Sequence, residues 1–289
     1  MTVRALYADG LLVLVALSWG LTFLLVQHAV ADVPVYTFLF WRFGLAFVLM
    51  VPLLVRRMPL ARTAVSAGVL LGLFNLGAYA LQTYGLTLTL SSSVAFITGL
   101  FVIFVPMMSW LLFRQHIAPG MWGASLFSAA GLWLLTMQGT LGFGAGEAYA
   151  LGCALLFALH LIYTGRFSRR YDVITLVGVQ FGTMALGAAL FGIGVDGSLT
   201  PVWTPAFGWG LGITVLFATV FAFGVQTSMQ RYTSAARAAV IFTLEPLSAA
   251  LFGHFYGGET LTFAQILGGL MIVASTLWIE IRGQTTSSA

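Results

Sequence analysis

Ten apolar runs of about 20 residues dominate this 289-residue sequence, with short polar or glycine- and proline-containing breaks between them. A helical run of this length matches the hydrocarbon core of a bilayer. Only 7% of the residues are charged, whereas soluble domains carry about 25%. The runs are too long and continuous for a β-barrel. The sequence therefore predicts an all-α polytopic membrane protein with spans at residues 9–30, 34–55, 64–85, 91–113, 119–137, 147–167, 173–194, 207–229, 234–256 and 262–281.

The arginines follow the order of these spans. All twelve basic residues are Arg, and eleven of them lie at the N-terminus, in every second loop or after the last span. The positive-inside rule therefore places both termini in the cytoplasm, with the chain in the inner membrane. The arginines stand singly or in pairs and form no basic patch, so we expect no nucleic-acid partner. A cleaved signal peptide ending near residues 29–31 is the alternative for the first run.

The sequence also repeats itself at an offset of 144 residues. Residues 80–100, ALQTYGLTLTLSSSVAFITGL, align without a gap with residues 224–244, GVQTSMQRYTSAARAAVIFTL, at six identical positions. A unit of five spans is odd, so its second copy crosses the membrane in the opposite direction. We therefore predict two inverted repeats, residues 1–140 and 141–289, an organisation typical of secondary transporters.

Two charged residues lie deep inside predicted spans, away from the span ends. Glu245 and Pro246 lie near the middle of span 9, where a charge costs about 2.5–3.5 kcal/mol and a proline frees a backbone carbonyl. Arg42 lies about eight residues into span 2. The Glu245–Pro246 pair indicates a helix bend beside a polar cavity, and Arg42 indicates a gate or a contact to an anionic group of the substrate. A structural role remains the alternative for all three, because such groups also join neighbouring helices.

Polar and aromatic side chains mark four further spans. Asn75, Tyr79 and Gln82 share one helix face by their i, i+4, i+7 spacing, and a polar face should turn away from lipid. Packing or helix–helix hydrogen bonding is the alternative at each position. The other candidates are Phe223 and Gln226, which the repeat aligns with Tyr79 and Gln82, together with His160 and Tyr163 in span 6 and Trp19 in span 1.

Signatures of enzymes are missing from the sequence. It contains no HExxH, P-loop or GxSxG motif, its four histidines are dispersed along the chain, and its single cysteine is Cys153. We therefore expect no catalysis, no metal and no cofactor.

Several motifs resemble one known family. They are LSWGLTF in span 1, Arg42–Phe43, and TLEPLSAALFGHFYGGETLTFAQILGGLMI from Thr243 onwards. Together with the ten spans they resemble the EamA branch of the drug/metabolite transporter superfamily, which includes aromatic amino-acid exporters of the YddG type. The resemblance implies a basket-like fold with spans 1, 3, 4, 6, 8 and 9 around a central cavity. In that family the Glu–Pro pair occurs with many cargoes, which implies bending and gating rather than cargo choice.

The predicted function is secondary transport by alternating access, exporting or exchanging small metabolites. Amino acids, including aromatic ones, are the favoured cargo; nucleosides, amphipathic drugs and a channel-like facilitator are the alternatives. We expect a monomer whose partners are the cargo and the lipid bilayer. The predicted cargo-binding residues are Trp19, Asn75, Tyr79, Gln82, His160, Tyr163, Phe223 and Gln226, and the predicted gating residues are Glu245, Pro246 and Arg42.

Overall fold

A computed structural model describes residues 3–29, 33–89, 91–136, 144–257 and 260–285. Within these ranges the regular structure is entirely helical, and a helix stands at each of the ten predicted spans. Span 1 is Val3–Ala29, span 2 Val35–Val55, span 3 Arg62–Leu88, span 4 Ser91–Gly99 with Phe101–Phe113, span 5 Pro119–Thr136, span 6 Ala145–Phe167, span 7 Val173–Phe191 with Gly192–Asp196, span 8 Pro205–Ile213 with Thr214–Phe221 and Ala222–Met229, span 9 Ala235–Phe242 with Leu244–Gly257, and span 10 Phe263–Thr285.

The length and hydropathy of these helices fit a membrane. Among the described residues, seven helical segments are long and apolar enough to cross a bilayer. Leu6–Thr22 and Phe263–Ile279 are shorter apolar stretches within spans 1 and 10. The prediction of an all-α polytopic membrane fold is thus confirmed.

Small residues allow span 7 to pack closely on both of its neighbours. A Cβ atom added to Gly68 or Gly72 of span 3 would lie 2.7 Å from a side-chain atom of span 7. On the other side, Gly178 packs against Leu54 of span 2 and Gly182 packs against the ring of Phe47. Close approach without side chains is a common basis of helix association in membranes.

The contacts between spans occur in pairs that the offset of 144 residues relates. Span 1 packs against span 8, and its counterpart span 6 packs against span 3. Span 2 packs against span 7, and span 5 packs against span 10, so each of these pairs corresponds to itself. This arrangement is the one expected of two five-helix repeats, and the division at residue 140 stays a prediction.

Spans 4 and 9 are both broken near the centre of the molecule. Span 4 is interrupted at Leu100 and span 9 at Thr243. At each break the backbone N–H reaches back only three residues, with distances of 3.1 Å from Leu100 N to Ile97 O and 3.2 Å from Thr243 N to Val240 O. The two breaks are thus tight turns at nearly equivalent positions of the two halves.

Candidate functional site

A cavity of about 160 Å³ lies between the spans at the level of the two breaks. Its wall draws side chains from spans 1 to 6, 8 and 9. The six spans that the resemblance implied all contribute. Ten of the eleven predicted site residues lie in this wall: Trp19, Arg42, Asn75, Tyr79, Gln82, His160, Phe223, Gln226, Glu245 and Pro246.

Tyr163 is not in the cavity wall, contrary to its predicted position. Its ring lies 5.5 Å from that of Phe74, 5.6 Å from Phe113 and 5.5 Å from Phe167. It belongs to a separate apolar cluster between spans 3, 6 and 7. Tyr163 lies only three residues after His160, but the helix directs its side chain towards these neighbours. Tyr163 therefore packs between helices and does not line the cavity.

Aromatic rings form one side of the cavity, with Phe223 at their centre. Its ring centroid lies 5.8 Å from Trp19, 6.0 Å from His160 and 6.4 Å from Tyr79. Phe242 contacts Trp19 at 5.1 Å. These tilted and edge-on contacts leave a continuous apolar surface against which a flat or aliphatic ligand could pack.

Span 8 contains a π-helical segment, Thr214–Phe221, which receives two side chains from the cavity wall. Trp19 Nε1 donates to Ala218 O at 2.9 Å, and Arg42 Nε donates to Thr219 Oγ1 at 2.9 Å. Arg42 also donates through Nη2 to Ala218 O, at 3.4 Å. The wider turn thus presents hydrogen-bond acceptors to spans 1 and 2, and π-helical turns are frequent at functional sites.

His160 is the centre of a buried polar cluster that joins spans 3, 6 and 7. Its Nε2 lies 3.1 Å from Asn75 Nδ2, 3.1 Å from Gln180 Oε1 and 3.3 Å from Thr164 Oγ1. A neutral ring nitrogen either donates or accepts, so the amides of Asn75 and Gln180 must orient according to the tautomer. Gln180 was not among the predicted residues, although a glutamine inside apolar span 7 could have indicated it.

Glu245 lies in the wall where spans 1 and 9 cross. Its backbone carbonyl accepts a hydrogen bond from Ser248 Oγ at 3.1 Å, and the same hydroxyl lies 3.4 Å from Leu17 O of span 1. A Cβ atom on Gly20 would lie 2.5 Å from Glu245 O, so the backbones meet without a side chain between them. The Glu245 side chain is partly exposed to the cavity.

Chemically, the cavity offers a mostly apolar surface with several aromatic rings, and polar side chains are distributed around its wall. Such a site can bind a small amphipathic molecule and orient it, as ligand pockets commonly do. The cavity wall drawn from eight spans and the two broken helices define a membrane protein of the solute-transporter class.

Comparisons with known proteins agree with this class. The sequence profile of the EamA-like transporter family matches residues 6–137 and again residues 144–281, and the chain belongs to this family. A protein of Archaeoglobus fulgidus named "uncharacterized transporter" is 30% identical over 280 residues, covering 97% of this chain and 88% of that protein. A second transporter of that organism is 24% identical over 274 residues, covering 91% of this chain and 94% of the other. A solved crystal structure, 19% identical, shares the fold with a TM-score of 0.80 over 94% of this chain and 97% of that one.

Proposed function

We propose that the protein exports or exchanges amino acids, including aromatic ones, by alternating access across the inner membrane. The carrying observation is the central cavity, whose aromatic and polar wall comes from both halves of the chain. In this proposal residues 1–140 and 141–289 are the inverted repeats, and both termini are cytoplasmic. A central site shared by two such repeats can open to either side in turn.

Polar contacts join the spans at the end of the molecule that carries the N-terminus. Arg237 Nε pairs with Asp9 Oδ2 at 2.6 Å, and Arg237 Nη1 donates to Ile279 O at 2.7 Å, which ties spans 1, 9 and 10 together. Nearer the cavity, Gln230 Nε2 donates to Leu161 O at 3.1 Å between spans 8 and 6. These contacts are those expected of a closed cytoplasmic gate.

The cavity extends towards the opposite end. Thr136 is the last residue of span 5, Leu86 lies two residues before the end of span 3, and Ala95 lies in the first turns of span 4, and all three are in the wall. Under the proposed orientation this end faces outwards. In this proposal the conformation is the outward-facing member of an alternating pair.

The cavity residues divide into two proposed roles. Trp19, Tyr79 and Phe223 hold the apolar part of the cargo by ring contacts. The polar groups of the wall hold and orient its charged part, and this set comprises Asn75, Gln82, His160, Gln226 and Glu245.

Counterflow in proteoliposomes tests the proposal. Liposomes loaded with one unlabelled amino acid at a time should take up the same labelled compound saturably, with and without a pH gradient. Tyr79→Ala and His160→Ala should lose this uptake. Tyr163→Ala should keep it, because Tyr163 packs between spans 3 and 6 outside the cavity wall. Uptake that never saturates would indicate a channel-like facilitator. No counterflow with any amino acid would exclude this cargo and lead to nucleosides and amphipathic drugs.

A further inference from the structure

We infer that the cavity recognises the ammonium group of its cargo through the Glu245 carboxylate and does not require a carboxylate on the cargo. The inference rests on the proposed function in one respect, namely that the central cavity is where cargo binds. It extends that function from amino acids to aromatic amines that lack the acid group.

The first observation is the contrast between the two charged side chains in the wall. Among the described residues, the Glu245 side chain accepts no hydrogen bond: Arg42 attracts it electrostatically without bonding to it, and the side chain is partly exposed to the cavity. A carboxylate accepts up to about four hydrogen bonds and donates none when ionised. It therefore provides acceptor capacity that a ligand with N–H donors can fill.

Arg42 is in the opposite situation. Its Nε and Nη2 atoms are directed at Thr219 Oγ1 and Ala218 O of span 8, and the side chain is 3% exposed. Its guanidinium carbon lies 4.8 Å from the centre of the Tyr79 ring and 5.2 Å from that of Phe43. These contacts within the protein occupy the Arg42 guanidinium. Arg42 is therefore less able to bind a carboxylate of the cargo than Glu245 is to bind an ammonium group.

The aromatic side of the cavity supports the same ligand chemistry. Trp19, Tyr79 and Phe223 form a connected group of rings in the wall that also carries Glu245. Aromatic faces attract ammonium groups and repel carboxylates, because the ring quadrupole is negative on its face. A ligand with an ammonium group and an aromatic body therefore matches both features of the site.

The pseudo-equivalent position in the first half is apolar. The offset of 144 residues aligns Glu245 with Phe101, and both side chains line the cavity. The cavity thus has a carboxylate from span 9 and a phenyl ring from span 4, which would orient an aromatic amine in one direction only. Phe101 therefore serves as the control position for Glu245, because it lines the same cavity at the aligned position of the other half.

Direct binding tests the inference. The full-length protein in nanodiscs is titrated calorimetrically with phenethylamine, which lacks a carboxylate, and with 3-phenylpropionate, which lacks the ammonium. We expect saturable binding of phenethylamine and at least about tenfold weaker binding of 3-phenylpropionate, since a charge-assisted hydrogen bond has this magnitude. Equal or tighter binding of the acid, or no binding of phenethylamine, would overturn the inference.

Two variants locate the effect. Glu245→Gln should weaken phenethylamine binding at least about tenfold and remove the preference over the acid. Phe101→Leu should weaken both ligands to a similar extent and keep the preference. Unchanged phenethylamine affinity in a folded Glu245→Gln protein would contradict the inference. If that variant does not fold, the contrast between the two ligands on the unaltered protein decides.

The same experiment separates this inference from the proposed function. Phenethylamine binding together with absent amino-acid counterflow would exclude amino acids as transported cargo and leave the ammonium site standing. Amino-acid counterflow together with a preference for 3-phenylpropionate would support amino acids as transported cargo and exclude the ammonium site at Glu245.

Discussion

Spans 4 and 9 have the same shape but different chemistry. Each is broken near the cavity, at Leu100 and at Thr243, and each break packs against span 5. Yet span 9 carries Glu245 and Pro246 just after its break, whereas the aligned residues of span 4 are Phe101 and Val102.

This comparison assigns the break to the fold rather than to the proline. Pro246 removes the hydrogen bond that its N–H would make to Phe242 O, which favours a break nearby. Span 4 breaks at the corresponding place with the same tight turn, although Val102 stands where span 9 has Pro246 and its own Pro106 lies six residues after the break. The Glu–Pro pair is therefore not needed for the bend. We infer that its contribution to span 9 is the Glu245 carboxylate in the cavity wall.

The largest difference between the two spans is at the start of span 9, where Arg237 stands in place of Ser93. Arg237 is 8% exposed and pairs with Asp9, which is 3% exposed. Asp9→Ala would leave a buried guanidinium without its carboxylate, so we expect a loss of about 3–5 kcal/mol in the free energy of unfolding. Denaturant unfolding in detergent measures it.

The exposed pair Arg57–Asp172, 3.9 Å apart, is the matched control for that variant. Arg57→Ala should change the free energy of unfolding by about 0–1 kcal/mol. A loss on Asp9→Ala no greater than that on Arg57→Ala would show that span 9 is not tied to span 1 by this charge pair.

A smaller effect is expected where spans 1 and 9 cross. A Cβ atom on Gly20 would overlap Ser248 Oγ and lie 2.8 Å from the backbone N of Ala249, so Gly20→Ala should destabilise by about 1–3 kcal/mol. Gly99→Ala in span 4 should cost less, because its Cβ would meet only the end of the Leu132 side chain. Thermal unfolding midpoints compare the variants with Gly10→Ala, which has nothing within 4 Å. Equal midpoints for Gly20→Ala and Gly10→Ala would refute the close crossing.

The smallest effect concerns the break in span 9 itself. Thr243 Oγ1 lies 2.8 Å from Ser128 Oγ of span 5, and Gly99 has no hydroxyl to offer at the aligned position. Thr243→Val should therefore reduce stability by about 0.5–1.5 kcal/mol. A double-mutant cycle with Ser128→Ala checks whether the two losses are coupled. Strictly additive losses would mean that the two hydroxyls do not act together.

The span positions could be predicted because the lipid imposes them. Span 2 ends at Val55, directly before Arg56 and Arg57, as the apolar pattern predicts. Span 1 begins at Val3, earlier than the predicted residue 9, and its Asp9 pairs with Arg237 from a distant part of the chain. That partner cannot be found from a local pattern.

The site could be predicted where one helix face defines it. Asn75, Tyr79 and Gln82 share a face by their spacing, and all three line the cavity. Tyr163 and Gln180 depend instead on which helices meet, and the spacing within one span does not contain that information. The π-helical segment Thr214–Phe221 has the sequence TVLFATVF, which contains no proline or glycine and does not distinguish it from an ordinary α-helical span.

Counterflow of labelled phenylalanine by two variants of span 9 tests the central distinction most directly. If the break belongs to the fold and the carboxylate belongs to the site, Pro246→Ala should keep saturable counterflow within a few-fold of the unaltered protein. Glu245→Gln should lose at least about tenfold, the cost of one charge-assisted hydrogen bond. Lost counterflow in Pro246→Ala with near-normal counterflow in Glu245→Gln would contradict it and return the pair to a purely mechanical role.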